Sequence, residues 1–206
     1  MNTLTWRLLT AEELTRVYLN EMRRDFPPTE LKPLSMVLNS EAVGDSHTWG
    51  VYDGETLVAY LLMVRPRGAT VSQLDYFAVL PACRAAGLGA KLLAALPGKE
   101  AGADAILIEA ELPEKADDPA MAVRRLGFYA RCGAVDTGWT EKLFGASWFR
   151  VLTLAECPAV LIEAGFISTP AEEEAIASAA RQRKAAAAIA DGVAVYDAWV
   201  RRNALR

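Results

Sequence analysis

The apolar and polar positions along the chain switch repeatedly between a period of two and a period of about 3.6 residues, which predicts alternating strands and helices. Thr3 to Leu9 alternates weakly as a strand. Thr10-Ala-Glu-Glu13 then reads as a capping box, in which the threonine hydroxyl accepts an amide proton and Glu13 reaches back. Leu14, Val17, Tyr18 and Met22 fall on one helical face, and Asp25-Phe-Pro-Pro28 ends the run because proline lacks an amide proton and restricts its predecessor. A second short helix is expected from Glu30 towards Asn39. His47 to Tyr52 and Thr56 to Val64 are β-rich runs joined by Asp53-Gly54, where glycine accepts the positive φ of a tight turn, so they should pair antiparallel.

Thr70 to Leu80 reads as a further strand closed by Pro81, and Gly89 to Leu96 as a helix closed by Pro97-Gly98. Ala103 to Leu112 is nearly continuous in apolar residues, as a strand covered on both faces requires, and is placed centrally. Asp117 to Arg131 reads as a helix with Pro119 in its first turn and Gly133 just past its end. Ala134 to Leu143 and Trp148 to Leu154 suggest a final hairpin. This order argues a mixed α/β sheet whose crossover helices follow the central strands. Beyond Ala155 the composition changes: Thr169-Pro-Ala-Glu172 is a capping box, and Ile189, Val193, Tyr196 and Val200 form a helical stripe. Residues 1–156 are therefore expected as one domain and 157–206 as a helical C-terminal extension, packed on that domain or on a second subunit as a homodimer.

Composition narrows the function classes. A chain of 206 residues that is 52% hydrophobic can bury a sizeable core. It opens with no basic region followed by an apolar run, and no stretch approaches the ~20 apolar residues of a spanning helix, so a cytoplasmic protein without membrane contact is expected. A net charge of −4, from 22 basic and 26 acidic residues, disfavours the phosphate attraction that dominates nucleic-acid binding. Cys83, Cys132 and Cys157 lack the spacing of a redox pair or zinc site. His47 is the single histidine, which excludes a histidine-rich metal site and means that any histidine-based triad would have to use that residue.

Chemistry concentrates in Arg84-Ala85-Ala86-Gly87-Leu88-Gly89, between a strand and a helix. Free amides and partial positive charge at a helix N-terminus form a ready site for pyrophosphate, and the glycines let backbone approach its oxygens. A dinucleotide fingerprint would need a third glycine where Leu92 stands, and a Walker loop would need Gly-Lys-Ser or Gly-Lys-Thr where the chain has Ala90-Lys91-Leu92.

With these residues the chain resembles the GNAT superfamily of N-acetyltransferases. The likeness is carried by Leu74-Asp-Tyr-Phe-Ala-Val79-Leu-Pro81, by Arg84-x-x-Gly87-x-Gly89 with Lys91-Leu-Leu93, by Leu107-Ile-Glu109, and by Arg125-Leu-Gly-Phe-Tyr129-x-x-x-Gly133. It spans Trp6 to Leu154 in element order and is motif-rich from Leu74 to Gly133; the tail from Cys157 onward lies outside it. The resemblance implies an α/β fold with a mixed, mostly antiparallel sheet, a splayed central strand pair and flanking helices. It implies acetyl-CoA as acyl donor, no metal, and a small-molecule or peptide amine as acceptor.

By the same likeness Phe77, Ala78 and Val79 would contact the pantetheine and thioester, with a strand amide near Ala78 polarising the carbonyl. Arg84, Ala85, Ala86, Gly87, Leu88, Gly89 and Ala90 would cradle the pyrophosphate, with Lys91 at the rim. Tyr129 would protonate the departing sulfur, and Glu109 or Glu111 would take the amine proton, with Asp75 a third candidate. Gln73 stands where several protein-modifying members carry a glutamate base, a departure from their pattern. Trp139, Phe144 and Trp148 are candidates for shaping the acceptor pocket or filling the core. The alternative reading is a non-catalytic acyl-CoA-binding or sensing module.

Overall fold

Pairing begins at the N-terminus, where β1 (Thr5–Leu8) lies antiparallel to β2 (Ser46–Asp53). Among the described residues, seven strands form one sheet in the order β1-β2-β3-β4-β5-β7-β6. The remaining strands are β3 (Thr56–Val64), β4 (Val71–Val79), β5 (Ala105–Glu111), β6 (Val135–Leu143) and β7 (Ser147–Ala155). The computed structural model describes residues 4–84, 87–143 and 147–155, with side chains from 139 onward described only at 152, 154 and the isolated positions 178, 180, 183 and 184. The chain divides into two compact units, Met1–Val160 and Leu161–Arg206, and every element named here belongs to the first. The capping box at Thr169 and the stripe from Ile189 to Val200 lie outside the described residues. No helix among the described residues is long and apolar enough to cross a membrane.

β2 and β3 turn at Gly54, whose φ of 61° suits the left-handed turn read from the sequence. The decisive feature lies further on. β4 and β5 are the parallel neighbours of an otherwise antiparallel sheet, and they pair only from Val71↔Ala105 to Leu74↔Ile108. Beyond that point β4 continues to Val79 still bonded to β3, and β5 continues to Glu111 still bonded to β7, so among the described residues their facing edges diverge without pairing to each other or to another strand. A bulge coincides with the divergence. Leu62 faces Tyr76 while Met63 faces Leu74, which leaves Asp75 as the extra residue on β4. An inserted residue bends its strand and increases its twist, and here it does so immediately after the last β4–β5 pair.

Strand alternation fills two cores. Ala59, Leu61 and Met63 of β3 face one side with Ile106 and Ile108, covered by Leu88, Leu92, Leu93 and Leu96 of α4 (Leu88–Lys99). Tyr60 and Leu62 face the other side with Leu14, Tyr18, Met22 and Val37. Those residues come from α1 (Ala11–Val17), the π-helical turn Tyr18–Met22 that continues through α2 (Arg23–Asp25), and α3 (Leu34–Val43). The Thr10–Glu13 capping box forms with both of its bonds. Asp118 caps α5 (Pro119–Arg131), and Gly133 follows it with a φ of 90°.

Two helix boundaries differ from the sequence expectation. α3 begins at Leu34, not Glu30, because Pro33 has no amide proton and disfavours helical backbone at Lys32, so Glu30 lies in the preceding loop. α4 runs through Pro97 to Lys99. A proline in the last turn forfeits one bond, and the burial of Leu96 and Glu100 on either side carries the helix past it.

Candidate active site

The divergence of β4 and β5 opens a cavity of about 940 Å³. Phe77, Ala78 and Val79 line one wall, Glu109 and Glu111 the other, and Gly87, Leu88, Gly89 and Ala90 one end. The unpartnered edge of β4 offers main-chain donors and acceptors to an extended ligand, as an exposed sheet edge does in strand addition. At the end formed by α4, Gly87 occupies the N-cap position with a φ of 70°, no side chain among the described residues caps the helix, and no acidic residue stands in its first turn. A Cβ on Gly87 would meet nothing within 4 Å, so backbone there is open to an approaching anion. Gly89 is different: a Cβ would come within 3.3 Å of Phe128 and 3.7 Å of Phe77, so this glycine lets α4 close on α5 and β4.

The remaining cradle residues are distributed unevenly. Ala85 and Ala86 lie outside the described residues. Lys91 is exposed and absent from the cavity wall, so the charge expected from it at the rim is not placed there. Arg84 lines the cavity, but its guanidinium is engaged within the protein, donating from Nε to the Val79 carbonyl at 2.8 Å and from Nη2 to Asp25 Oδ1 at 3.0 Å.

Tyr129 projects from α5 into the same cavity, one helical turn beyond Arg125, which also lines it. Burial pushes the Tyr129 phenol up, against a smaller opposing pull from Arg125, so it stays protonated well above neutral pH. Among the described residues its hydroxyl has no hydrogen-bond partner. Arg125 Nη1 lies 3.6 Å from Glu111 Oε2. Asp75, the bulge residue, is held by Lys32, whose Nζ donates to both carboxylate oxygens at 2.8 and 2.7 Å. A protonated phenol and carboxylates in one cleft, beside a free strand edge and an uncapped helix, provide groups for binding a phosphorylated thioester and moving protons at an amine and a sulfur.

One family model covers the stretch that builds this cleft. Residues 44–133 match the model described as "Acetyltransferase (GNAT) domain", a span that holds β4, the α4 cradle, β5 and Tyr129. Over that span the chain is similar to a GNAT acetyltransferase domain. Solved structures share the fold: a putative acetyltransferase of the GNAT family from Bacteroides thetaiotaomicron has a TM-score of 0.58 at 19% identity, covering 84% of this chain and 96% of that one. The spermidine N-acetyltransferase of Vibrio cholerae in complex with CoA and spermine has a TM-score of 0.58 at 12% identity, covering 75% and 96%. A Bacillus subtilis acetyltransferase in complex with CoA has a TM-score of 0.50 at 17% identity, covering 75% and 100%. At these identities the likeness is one of fold. No curated protein sequence matches the chain at a significant level.

A second family model, described as N-acetylmuramoyl-L-alanine amidase, matches residues 114–195. Its first twenty positions fall inside the GNAT match, and its described part builds α5, β6 and β7 of the one sheet. That span contains no histidine, and the chain's single one, His47, lies elsewhere.

His47 does not serve the GNAT cleft. Its Nε2 lies 2.7 Å from Glu100 Oε1, which also accepts from Trp49 Nε1 at 2.8 Å, while Ser72 Oγ donates to Glu100 Oε2 at 2.9 Å. Serine and histidine both address the carboxylate rather than each other, and none of the four lines the cavity. Among the charged wall residues that escape the sequence reading as site residues are Asp25, Glu30 and Arg125. Only Arg125 has a signal, its place one turn before Tyr129; the other two reach the cleft through tertiary packing. The side chains of Trp139, Phe144 and Trp148 lie outside the described residues.

Proposed function

We propose that this protein is an N-acetyltransferase that moves an acetyl group from acetyl-CoA to a primary amine by direct attack, both substrates being held at once. The observation that carries the reading is that the free β4 edge, the uncapped N-terminus of α4 and Tyr129 meet in one cavity. When bound, acetyl-CoA supplies the activated acyl group. The α4 amides from Leu88 to Ala90 are suited to hold its pyrophosphate, the β4 edge at Phe77–Val79 to align its pantetheine, and a strand amide near Ala78 to polarise the carbonyl. Tyr129 is suited to protonate the departing sulfur.

Direct attack is favoured over an acyl-cysteine because Cys132, near Tyr129 in sequence, has no histidine beside it and its thiol is pushed up by burial, away from the reactive thiolate. A cationic amine is the acceptor class that suits the cleft, since Glu30, Glu109, Glu111, Asp117 and Asp118 line it against Lys115 and Arg125. The spermine bound by the Vibrio cholerae structure is a molecule of that class.

The test is thermal unfolding with and without acetyl-CoA, beside Gly87→Glu, followed by a panel of amines scored by thiol release. A midpoint raised in the wild type and not in the variant, with thiol release from at least one amine, supports the reading. A raised midpoint without turnover on any amine favours the non-catalytic binding module instead. No binding by calorimetry removes both.

A further inference from the structure

Transfer to a cationic amine requires a group that removes a proton from the ammonium before nitrogen can attack. The cavity wall offers several carboxylates, and the structure distinguishes them by what they already hold. Asp25 accepts from Arg24, Tyr60 and Arg84. Asp75 is paired with Lys32, Glu111 stands beside Arg125, Asp118 caps α5 through the Met121 amide, Glu109 is also engaged, and Asp117 is exposed. Glu30 differs: it is partly buried, lines the cavity, and among the described residues its carboxylate makes no hydrogen bond or ion pair.

Its backbone is fixed all the same. The Tyr76 hydroxyl donates to the Glu30 carbonyl at 2.9 Å and accepts from the Lys32 amide at 2.9 Å, and the Tyr18 hydroxyl donates to the Lys32 carbonyl at 2.7 Å. With Pro27, Pro28 and Pro33 in the same loop, this ties Glu30 to β4 at a defined place. Glu30 reaches the splay from the sheet face covered by α1 and α3, where Phe26 and Leu31 pack. Tyr129 reaches it from the face covered by α4 and α5. Donor and acceptor of protons thus enter the gap from opposite sides, the arrangement needed when one serves sulfur and the other nitrogen.

We propose that Glu30 is the proton acceptor for the incoming ammonium. This rests on the transferase reading above. The surroundings of Glu30 favour proton uptake, because burial first, then the charges of Glu111 and Asp117, push its carboxyl up, and Arg125 opposes them in part. Lys115 also lines the cavity, and the Tyr76 hydroxyl is occupied with the Glu30 carbonyl. The protons balance. One passes from the ammonium to Glu30, the nitrogen then bonds to the acyl carbon as the carbon–sulfur bond breaks, a second proton leaves nitrogen, and Tyr129 supplies one to sulfur. The sum is one amide, one thiol and one proton released, with Tyr129 reprotonated.

The experiment compares wild type with Glu30→Gln, Glu30→Asp, Glu109→Gln and Glu111→Gln, using the best amine from the panel across pH, with calorimetry of acetyl-CoA and carbon NMR of labelled glutamate carboxyls. Glu30→Gln is expected to lower kcat/KM about 100-fold at neutral pH, to lose the acidic limb of the profile, and to recover at alkaline pH where solvent supplies neutral amine. Acetyl-CoA affinity is expected to stay within about twofold, Glu30→Asp to retain the limb, and Glu30→Gln to remove one carboxyl resonance titrating above the ordinary glutamate range. An unchanged profile in Glu30→Gln, with the limb lost in Glu109→Gln or Glu111→Gln, overturns the assignment. So does a rise in KM alone, which would make Glu30 an ammonium anchor, or the lack of such a resonance. If the wild type releases no thiol with any amine, the transferase reading itself fails, a result distinct from a silent variant of an active enzyme.

Discussion

Arg84 Nη2 lies 3.0 Å from Asp25 Oδ1, joining the loop after β4 to the end of α2 across the mouth of the cleft. The Asp25 side chain is only 7% exposed and also accepts from the Tyr60 hydroxyl at 3.0 Å, so losing a partner leaves a buried polar group under-bonded. Arg84→Gln is therefore expected to destabilise the protein by about 1–2 kcal/mol, a modest figure because the arginine itself is half exposed. With the guanidinium committed to Asp25, phosphate binding falls to the amides, and acetyl-CoA affinity should drop less than about tenfold. Urea unfolding and calorimetry on one variant read both effects; a large loss of affinity with unchanged stability would mean that Arg84 leaves Asp25 for the ligand.

Glu100 gives the fold a pH dependence remote from the cleft. Burial opposes its ionisation, but the bonds from His47, Trp49 and Ser72 outweigh that and hold the carboxyl at about 2. Since glutamate in an unfolded chain titrates near ~4.3, Glu100 contributes stability that is fully present above that pH and lost as pH falls through about 2. The difference corresponds to roughly 3 kcal/mol. Glu13, held at about 2 mainly by its bond from Arg7, titrates in the same window, so Glu100→Gln is needed to separate the two. The variant should melt lower than wild type at neutral pH, and the gap should narrow on acidification. Melting curves that stay parallel from about pH 7 to about pH 2.5 would show that Glu100 is not the linked group.

The two loop glycines should fail differently. Gly87→Ala places a side chain in left-handed backbone with open space around it, so a loss of about 1 kcal/mol is expected, whereas Gly87→Glu adds a like charge where phosphate would sit and should abolish acetyl-CoA binding. Gly89→Ala pushes against Phe128 at 3.3 Å, and its effect should appear as a lower melting temperature through the α4–α5 contact. Equal acetyl-CoA affinity in Gly87→Glu and wild type would place the pyrophosphate elsewhere.

How much of this is legible in the sequence follows from where each signal sits in the chain. The Thr10–Glu13 box, the Asp53-Gly54 turn, the Pro119 and Gly133 helix limits and the start of α4 at Gly87 are local patterns, and each lies where its spacing puts it. The splay requires two strands far apart in sequence and a bulge at Asp75 that no alternation marks. A short helix is expected to start at Glu30, yet Pro33 delays it and leaves the residue in a loop bonded to Tyr76. The motif makes Arg84 a phosphate ligand; its bond to Asp25 joins residues whose sequences carry no mutual signal.

Tyr129 offers the sharpest separation of binding from chemistry. Its hydroxyl has no partner among the described residues, so Tyr129→Phe removes one oxygen from the cavity wall without orphaning a neighbour, and stability should change by less than about 1 kcal/mol. If the phenol delivers a proton to sulfur, kcat should fall about 100-fold while acetyl-CoA affinity is kept, because the missing interaction belongs to the transition state. The phenol is pushed up by burial, so the alkaline limb that it governs should lie well above neutral pH in the wild type and vanish in the variant. An acyl donor whose leaving thiol has a low pKa departs without help, so activated thioesters should lose much less than acetyl-CoA does on the same substitution. A uniform loss across donors would instead mean that Tyr129 shapes the cleft and gives no proton.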